Sequence, residues 1–264
     1  MLTEAKNQLK ISFLSVKYAI MREMLNKTAF FTNVIIMILN NATFILQWAI
    51  LYSLKDNVGG YTFKQVLLLW GVAAGTFGFS RFFFKKAFEL YDIINTGKLD
   101  AFLVQPKNVL LSTITTDVSP SALGDMIYGY IMLFVYGFTI SRFLLFTTFI
   151  ICGGFIVTSV SIILSSLSFW LNKTDIIADT INGLMVNFGT YPEGIFKGLA
   201  KGLLYTLVPV GFAIYMPVEI LTKFNIYNFL ILISITTILV IFSFIIFNKG
   251  LKKYSSSNLM SARI

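Results

Sequence analysis

The chain is 264 residues long, 56% hydrophobic and only 12% charged, with a mean hydropathy of +0.79. A water-soluble domain usually carries roughly 25% charged residues, so too few polar side chains are present to cover a water-facing surface, and lipid must be most of the solvent. The net charge of +9 sits in short loops and tails rather than on a compact basic domain, which argues against nucleic acid as a partner; with no histidine and one cysteine, Cys152, an internal disulfide, a His-based metal site and a His base are excluded.

Residues 1–28 read as a separate element. Ile11, Leu14, Tyr18, Met21 and Leu25 recur at alternating steps of three and four, which places them on one helical face. Lys6, Lys10 and Lys17 share a neighbouring face. This is the pattern of a basic amphipathic helix lying along the cytoplasmic membrane surface; packing on a protein partner is the alternative. The first long apolar run begins near Ala29, too far in for a secretory leader, so the first span is expected to stay in the protein.

A helix needs about 20 apolar residues to cross roughly 30 Å of hydrocarbon. Residues 29–54, 61–84, 144–170 and 226–247 meet that need. Residues 119–140, which contain Pro120 and Asp125, are a fifth predicted span, and 175–190 are a short sixth, ending at Gly189-Thr190-Tyr191-Pro192. Residues 194–221 are apolar but cut by Pro209, Gly211 and Pro217, so 191–222 are expected to form a re-entrant hairpin. With six spans, most of the 21 Lys and Arg residues fall on one side, including Lys6, Lys85, Lys98, Lys173, Lys253 and Arg263. The positive-inside rule then makes both termini cytoplasmic; a seventh span would put the basic tail outside.

Several polar faces stand out. Asn33, Asn40 and Gln47 lie seven residues apart in the first span and should turn away from lipid. They either hydrogen-bond between helices, at about 0.6 to 2 kcal/mol each, or line a translocation path. Asp117, Ser121, Asp125 and Tyr128 share a face at the start of the third span. A carboxylate inside a span costs roughly 2.5–3.5 kcal/mol on insertion, so Asp125 is expected to face a partner or a cavity, in a structural or a substrate-path role. Gly154, Thr158, Ser161, Ser165 and Ser168 form a seam of small residues in the fourth span, for packing within the chain or between chains.

Between the second and third spans, residues 87–106 hold more apolar side chains than a connecting loop needs. Phe88, Tyr91 and either Ile94 or Ile93 form an apolar edge, Gly97 stops a helix, and Leu99–Val104 give a second apolar piece closed by Pro106. This reads as a docking element for a partner protein, with the membrane surface as the alternative. The chain has no phosphate-binding G-x-x-x-x-G-K-[ST] loop and no H-E-x-x-H or G-x-S-x-G motif, so ATP energy would have to come from another chain.

Three segments resemble permeases of the ABC-2 exporter superfamily: Asp56 through Phe63, the run I-x-x-G-x-L-D-x-x-L-x-x-P from Ile94 to Pro106, and Gly189 through Pro209 to Pro217. The resemblance implies an all-α membrane protein with six transmembrane helices in a domain of residues 29–264. It also implies an N-terminal interfacial helix, a cytoplasmic coupling helix and re-entrant extracellular helices. Phe88, Tyr91, Ile94, Gly97, Leu99, Asp100, Leu103 and Pro106 would then be coupling residues, and Tyr191, Pro192 and Pro209 an external gate. Asn33, Asn40, Gln47, Asp125 and Tyr128 would be candidates for the path. The implied assembly is two copies of a separate ABC ATPase, which carry ATP and Mg, and a second permease, identical or related, in a bacterial cytoplasmic membrane. No cofactor is expected on this chain. An ATP-independent channel or carrier is the rival reading.

Overall fold

The computed structural model describes residues 2–171 and 174–255, with side chains from Lys6 onward. Lys173 and Arg263, two of the predicted cytoplasmic charges, lie outside the described residues. Among the described residues the structure is helical, with an isolated Val58–Tyr61 bridge and no strand.

Helix α1 (Leu2–Glu23) passes through one tighter turn, Met24–Asn26, into α2 (Lys27–Leu54). Asn26 leaves the helical backbone and its side chain accepts from the Ala29 amide at 3.1 Å, so α2 begins afresh with its own cap. A tight turn through Gly59 and Gly60 leads to α3 (Phe63–Phe84), which opens with a Thr62–Gln65 capping box. Three short helices follow: α4 (Leu90–Asn95), α5 (Asp100–Leu103) and α6 (Val109–Ile114). Gly97 adopts a φ of 75° between α4 and α5, a left-handed conformation that lets the chain turn sharply there.

The second half holds α7 (Pro120–Gly137), α8 (Ile140–Ser166), α9 (Thr174–Gly189), α10 (Leu199–Leu203), α11 (Met216–Thr222) and α12 (Ile226–Leu251). Among the described residues, four stretches are long and apolar enough to cross a membrane: Lys6–Leu54, Phe63–Asn95, Ile140–Phe169 and Ile226–Leu251. Helices α7 and α9 have 18 and 16 residues. At about 1.5 Å per residue they reach roughly 27 and 24 Å, short of the full hydrocarbon depth. Between α9 and α12 the pieces are shorter still, α10, α11 and a wide turn at Gly211–Tyr215.

Helix α3 is the axis of the molecule. In its apolar stretch 83% of residues are buried, against 17% in those of α2 and α12. Helix α7 lies antiparallel along α3, with Gly71 opposite Met132 and Gly129, and Gly78 opposite Ala122 and Met126. A Cβ at Gly129 would come within 2.7 Å of the Gly71 carbonyl oxygen, so the two backbones approach as closely as they do only because that residue is glycine. The small-residue seam of α8 packs within the chain: Gly154 faces Phe79, the Ser161 hydroxyl donates to Asn182 at 2.7 Å, and Ser168 pairs with Thr174.

One end of the bundle, here the tail face, gathers α1, α4–α6 and the end of α12. There Leu90, Ile94, Leu99, Leu110, Ile162 and Phe247 form one buried cluster. Helix α1 lies against this end through a face other than the predicted one. Val16 and Ala19 are buried against Val118 and Phe83, and the Ser15 hydroxyl donates to the Thr115 carbonyl at 2.9 Å. Tyr18, Met21 and Leu25, on the predicted apolar face, remain exposed. Small residues seat the helix on the protein, and its larger apolar side chains Phe13, Tyr18 and Met21 are exposed.

Candidate functional site

Helices α2, α3 and α9 enclose a cavity of about 560 Å³, with Asp125 of α7 in its wall. Its upper part is aromatic. Phe44 stacks on Trp70 with ring centroids 5.2 Å apart, and Tyr191 meets Trp48 edge-on at 5.9 Å. Amides from two helices line it as well: Asn40, Asn41 and Gln47 from α2, and Asn187 from α9. Toward the tail face the wall becomes charged. Asn41, only 8% exposed, donates from Nδ2 to Asp125 Oδ1 at 2.6 Å, which gives this half-buried carboxylate a fixed partner.

Arg81 brings a guanidinium to the same wall and rests over the Phe88 ring, 5.4 Å from its centroid. It also borders a second cavity of about 350 Å³ at the tail face, where Lys85, Glu89, Asp179 and Asn182 are among the lining residues. Arg81 thus lines both spaces. Such an arrangement can hold a molecule with an apolar body in an aromatic chamber and meet its polar groups at a charged base.

The segment after α3 is bolted to the bundle. Leu90, Ile94 and Leu99 are each 0% exposed, and the Ser165 hydroxyl of α8 donates to the Ala87 carbonyl at 3.4 Å. The Tyr91 hydroxyl donates to an Asp179 carboxylate oxygen of α9 at 3.2 Å. What the segment offers outward is its far end: Leu103 and Val104 are 42% and 85% exposed, beside exposed Gln105 and Pro106. Tyr254, just past α12, packs on this cluster, and burial together with the nearby Asp100 carboxylate pushes its phenol up to about 12.

A latch holds the segment's start. Asp117, 8% exposed, accepts from Arg22 of α1 at 2.6 Å and from Lys85 at 2.9 Å, with Lys86 Nζ at 3.5 Å. Burial works against ionising Asp117, but Lys85, Lys86 and Arg22 outweigh it and hold the carboxyl below its usual range.

The profile described as ABC-2 family transporter protein matches residues 11–258, nearly the whole described chain. The chain belongs to the ABC-2 transporter family. It is accordingly the membrane subunit of an ABC transporter, a transport subunit rather than an enzyme, and its family implies association with an ABC ATPase. No curated protein and no solved structure matches it.

Within this ABC-2 permease, the predicted path residues Asn40, Gln47 and Asp125 come together in the large cavity, and Tyr191 joins them at its rim. Asn33 lies on the exposed side of α2, away from the cavity. Tyr128 is buried between α2 and α3 among Leu67, Ala74 and Met132, also outside it. The predicted gate residues separate. Pro192 packs near Gly59 of the α2–α3 turn, and Pro209 is buried, its carbonyl accepting from the Ala213 amide at 3.0 Å. Of the predicted coupling residues, Ile94, Gly97 and Leu99 face the chain's own interior, Phe88, Tyr91 and Asp100 are half-buried, and Leu103 and Pro106 are exposed.

Asn41, Arg81 and Asn187 were not singled out from the sequence. Asn41 could have been found as the second of an Asn40-Asn41 pair, whose angular offset of about 100° places one on each flank of a shared face. Arg81 falls near the end of the predicted 61–84 span, and its position alone does not show that it faces a cavity.

Proposed function

We infer that this chain is the membrane-spanning permease of an ATP-driven exporter with six spans, α7 and α9 being the two shorter ones. The tail face is cytoplasmic, both termini included, as the crowding of Lys and Arg there favours. Residues 87–106 couple the spans to a separate ATPase, two copies of which carry ATP and Mg. Substrate enters the tail-face cavity, passes Arg81, and is held in the aromatic chamber until the Trp48–Tyr191 rim opens. Residues 191–222 form the re-entrant outer segment, and a second permease, identical or related, completes the membrane unit.

The observation that carries this reading is the construction of the coupling segment. Its root is buried against α8 and α12 while Leu103 and Val104 project outward. A partner pushing on that tip would move the ends of two spanning helices through a packed cluster, as coupled switching requires.

The test is Leu103→Asp in the permease co-expressed with an ABC ATPase. Substrate-stimulated ATP hydrolysis should fall at least about ten-fold while the permease still reaches the membrane, because a charge in an apolar docking contact leaves a desolvated, unpaired group. Unchanged turnover would remove the coupling assignment, and transport persisting without any ATPase would favour the carrier reading.

A further inference from the structure

A second apolar space lies under α1, apart from the path described above. It measures about 290 Å³ and is walled by Leu9 and Phe13 of α1, Phe83 of α3, Phe155 of α8, and Val240 and Phe244 of α12. None of the residues lining it is charged. Two of its hydroxyls, those of Thr115 and Ser243, donate into their own backbones, to the Leu111 and Val240 carbonyls at 2.8 Å each. Leu, Ile, Val and Phe side chains make up most of the rest of the lining, with the buried Thr158 hydroxyl left without a protein partner. Leu9 and Phe13, 68% and 71% exposed, form a lip that opens outward rather than a packed contact.

The rim has the opposite character. Lys6 and Lys10 are exposed on α1, within a turn of Leu9 and on the side of the helix that carries Phe13. An apolar slot between helices, flanked by lysines at the membrane boundary, complements one chemistry: an acyl chain joined to an anionic headgroup. We propose that this groove holds an anionic phospholipid, one acyl chain lying between α1, α8 and α12 and its phosphate lying against Lys6 and Lys10.

The occupant would give α1 a second attachment. One flank of the helix is tied to the bundle through Ser15 and Arg22, and the lipid would bridge its other flank to α12. Lipid composition would then set how firmly the N-terminal helix lies on the bundle.

The test uses the full chain purified in mild detergent and followed by native mass spectrometry. Phosphatidylglycerol or phosphatidylcholine of matched acyl chains is titrated in, with glycerol 3-phosphate as the chainless control. The native chain should retain phosphatidylglycerol about ten-fold or more tightly than phosphatidylcholine, and glycerol 3-phosphate should not displace it. Lys6→Ala combined with Lys10→Ala should bring phosphatidylglycerol down to the phosphatidylcholine level. Ser12→Trp, which fills the groove, should weaken both lipids. Leu9→Glu, at the exposed lip, is a second blocking variant if the first does not accumulate. Equal retention of the two lipids by the native chain, displacement by the chainless phosphate, or a preference unmoved by the lysine and blocking variants overturns the proposal.

Discussion

Asp117 joins α1 to the end of α3 through Arg22, Lys85 and Lys86, and its backbone neighbour Val118 donates to the same carboxylate at 3.0 Å. Asp117→Asn would leave Arg22 and Lys85 without their counter-ion, Lys86 keeping Glu89 at 2.6 Å, at a cost of about 2 kcal/mol, tempered by the solvent around the basic side chains. The expected outcome is faster hydrogen exchange across α1 and a lower unfolding temperature in detergent, with α8 exchange unchanged. Because the folded carboxyl titrates below its unfolded value of about 3.9, the latch is fully present above that value and is lost as the pH falls through the lower, folded one. Hydrogen exchange of α1 in the native chain should thus be flat from neutral pH down to the carboxylate range, once intrinsic rates are divided out. Arg81 carries a separate expectation. Arg81→Ala removes the side chain that lines both cavities, and ATP hydrolysis should become less dependent on substrate while its basal level rises. A variant with native substrate stimulation would mean that Arg81 is only a structural cation seated on Phe88.

The pairing of α3 with α7 depends on backbone proximity more than on large side chains. Gly129→Val would drive two γ-methyls toward the Gly71 carbonyl and the Gly75 backbone, and overpacking of this kind costs about 1–3 kcal/mol. Loss of monodisperse protein in size-exclusion chromatography, with Gly183→Val as a harmless control at an open position, would be the readout. The helices themselves were legible, because runs of apolar residues bounded by caps and prolines report their own ends: the predicted 29–54, 61–84 and 226–247 lie close to α2, α3 and α12. The role of the apolar residues in 87–106 was less so. Composition shows that Ile94 and Leu99 avoid water but not whether a partner or the chain itself covers them, and here the chain does. The same limit explains α1, where Val16 and Ala19 are too small to mark the seated face by periodicity.

Seen whole, the permease divides its chemistry by depth. In its large cavity Arg81 and the Asn41–Asp125 pair lie toward the tail face, and the Phe44–Trp70 and Trp48–Tyr191 rings lie toward the other end. Sequence periodicity placed Asn40, Gln47 and Asp125 on helix faces but not in a common space, since three helices from distant parts of the chain are needed to make one chamber. The Glu193–Lys201 ion pair at 2.8 Å and the Tyr205 hydroxyl donating to Glu193 at 2.9 Å brace the opposite end, where sequence spoke only of broken helices.

The uneven burial of the spans has a consequence for how the protein tolerates change. In a saturation library scored for membrane accumulation, α3 should be depleted across nearly its whole circumference, because every side there has a neighbour to offend. Helix α12 should accept most exchanges among aliphatic and aromatic residues, with intolerance confined to the strip through Leu232, Thr236, Ser243 and Phe247. Evolutionary drift in such a molecule would run along its rim and stall at its hub.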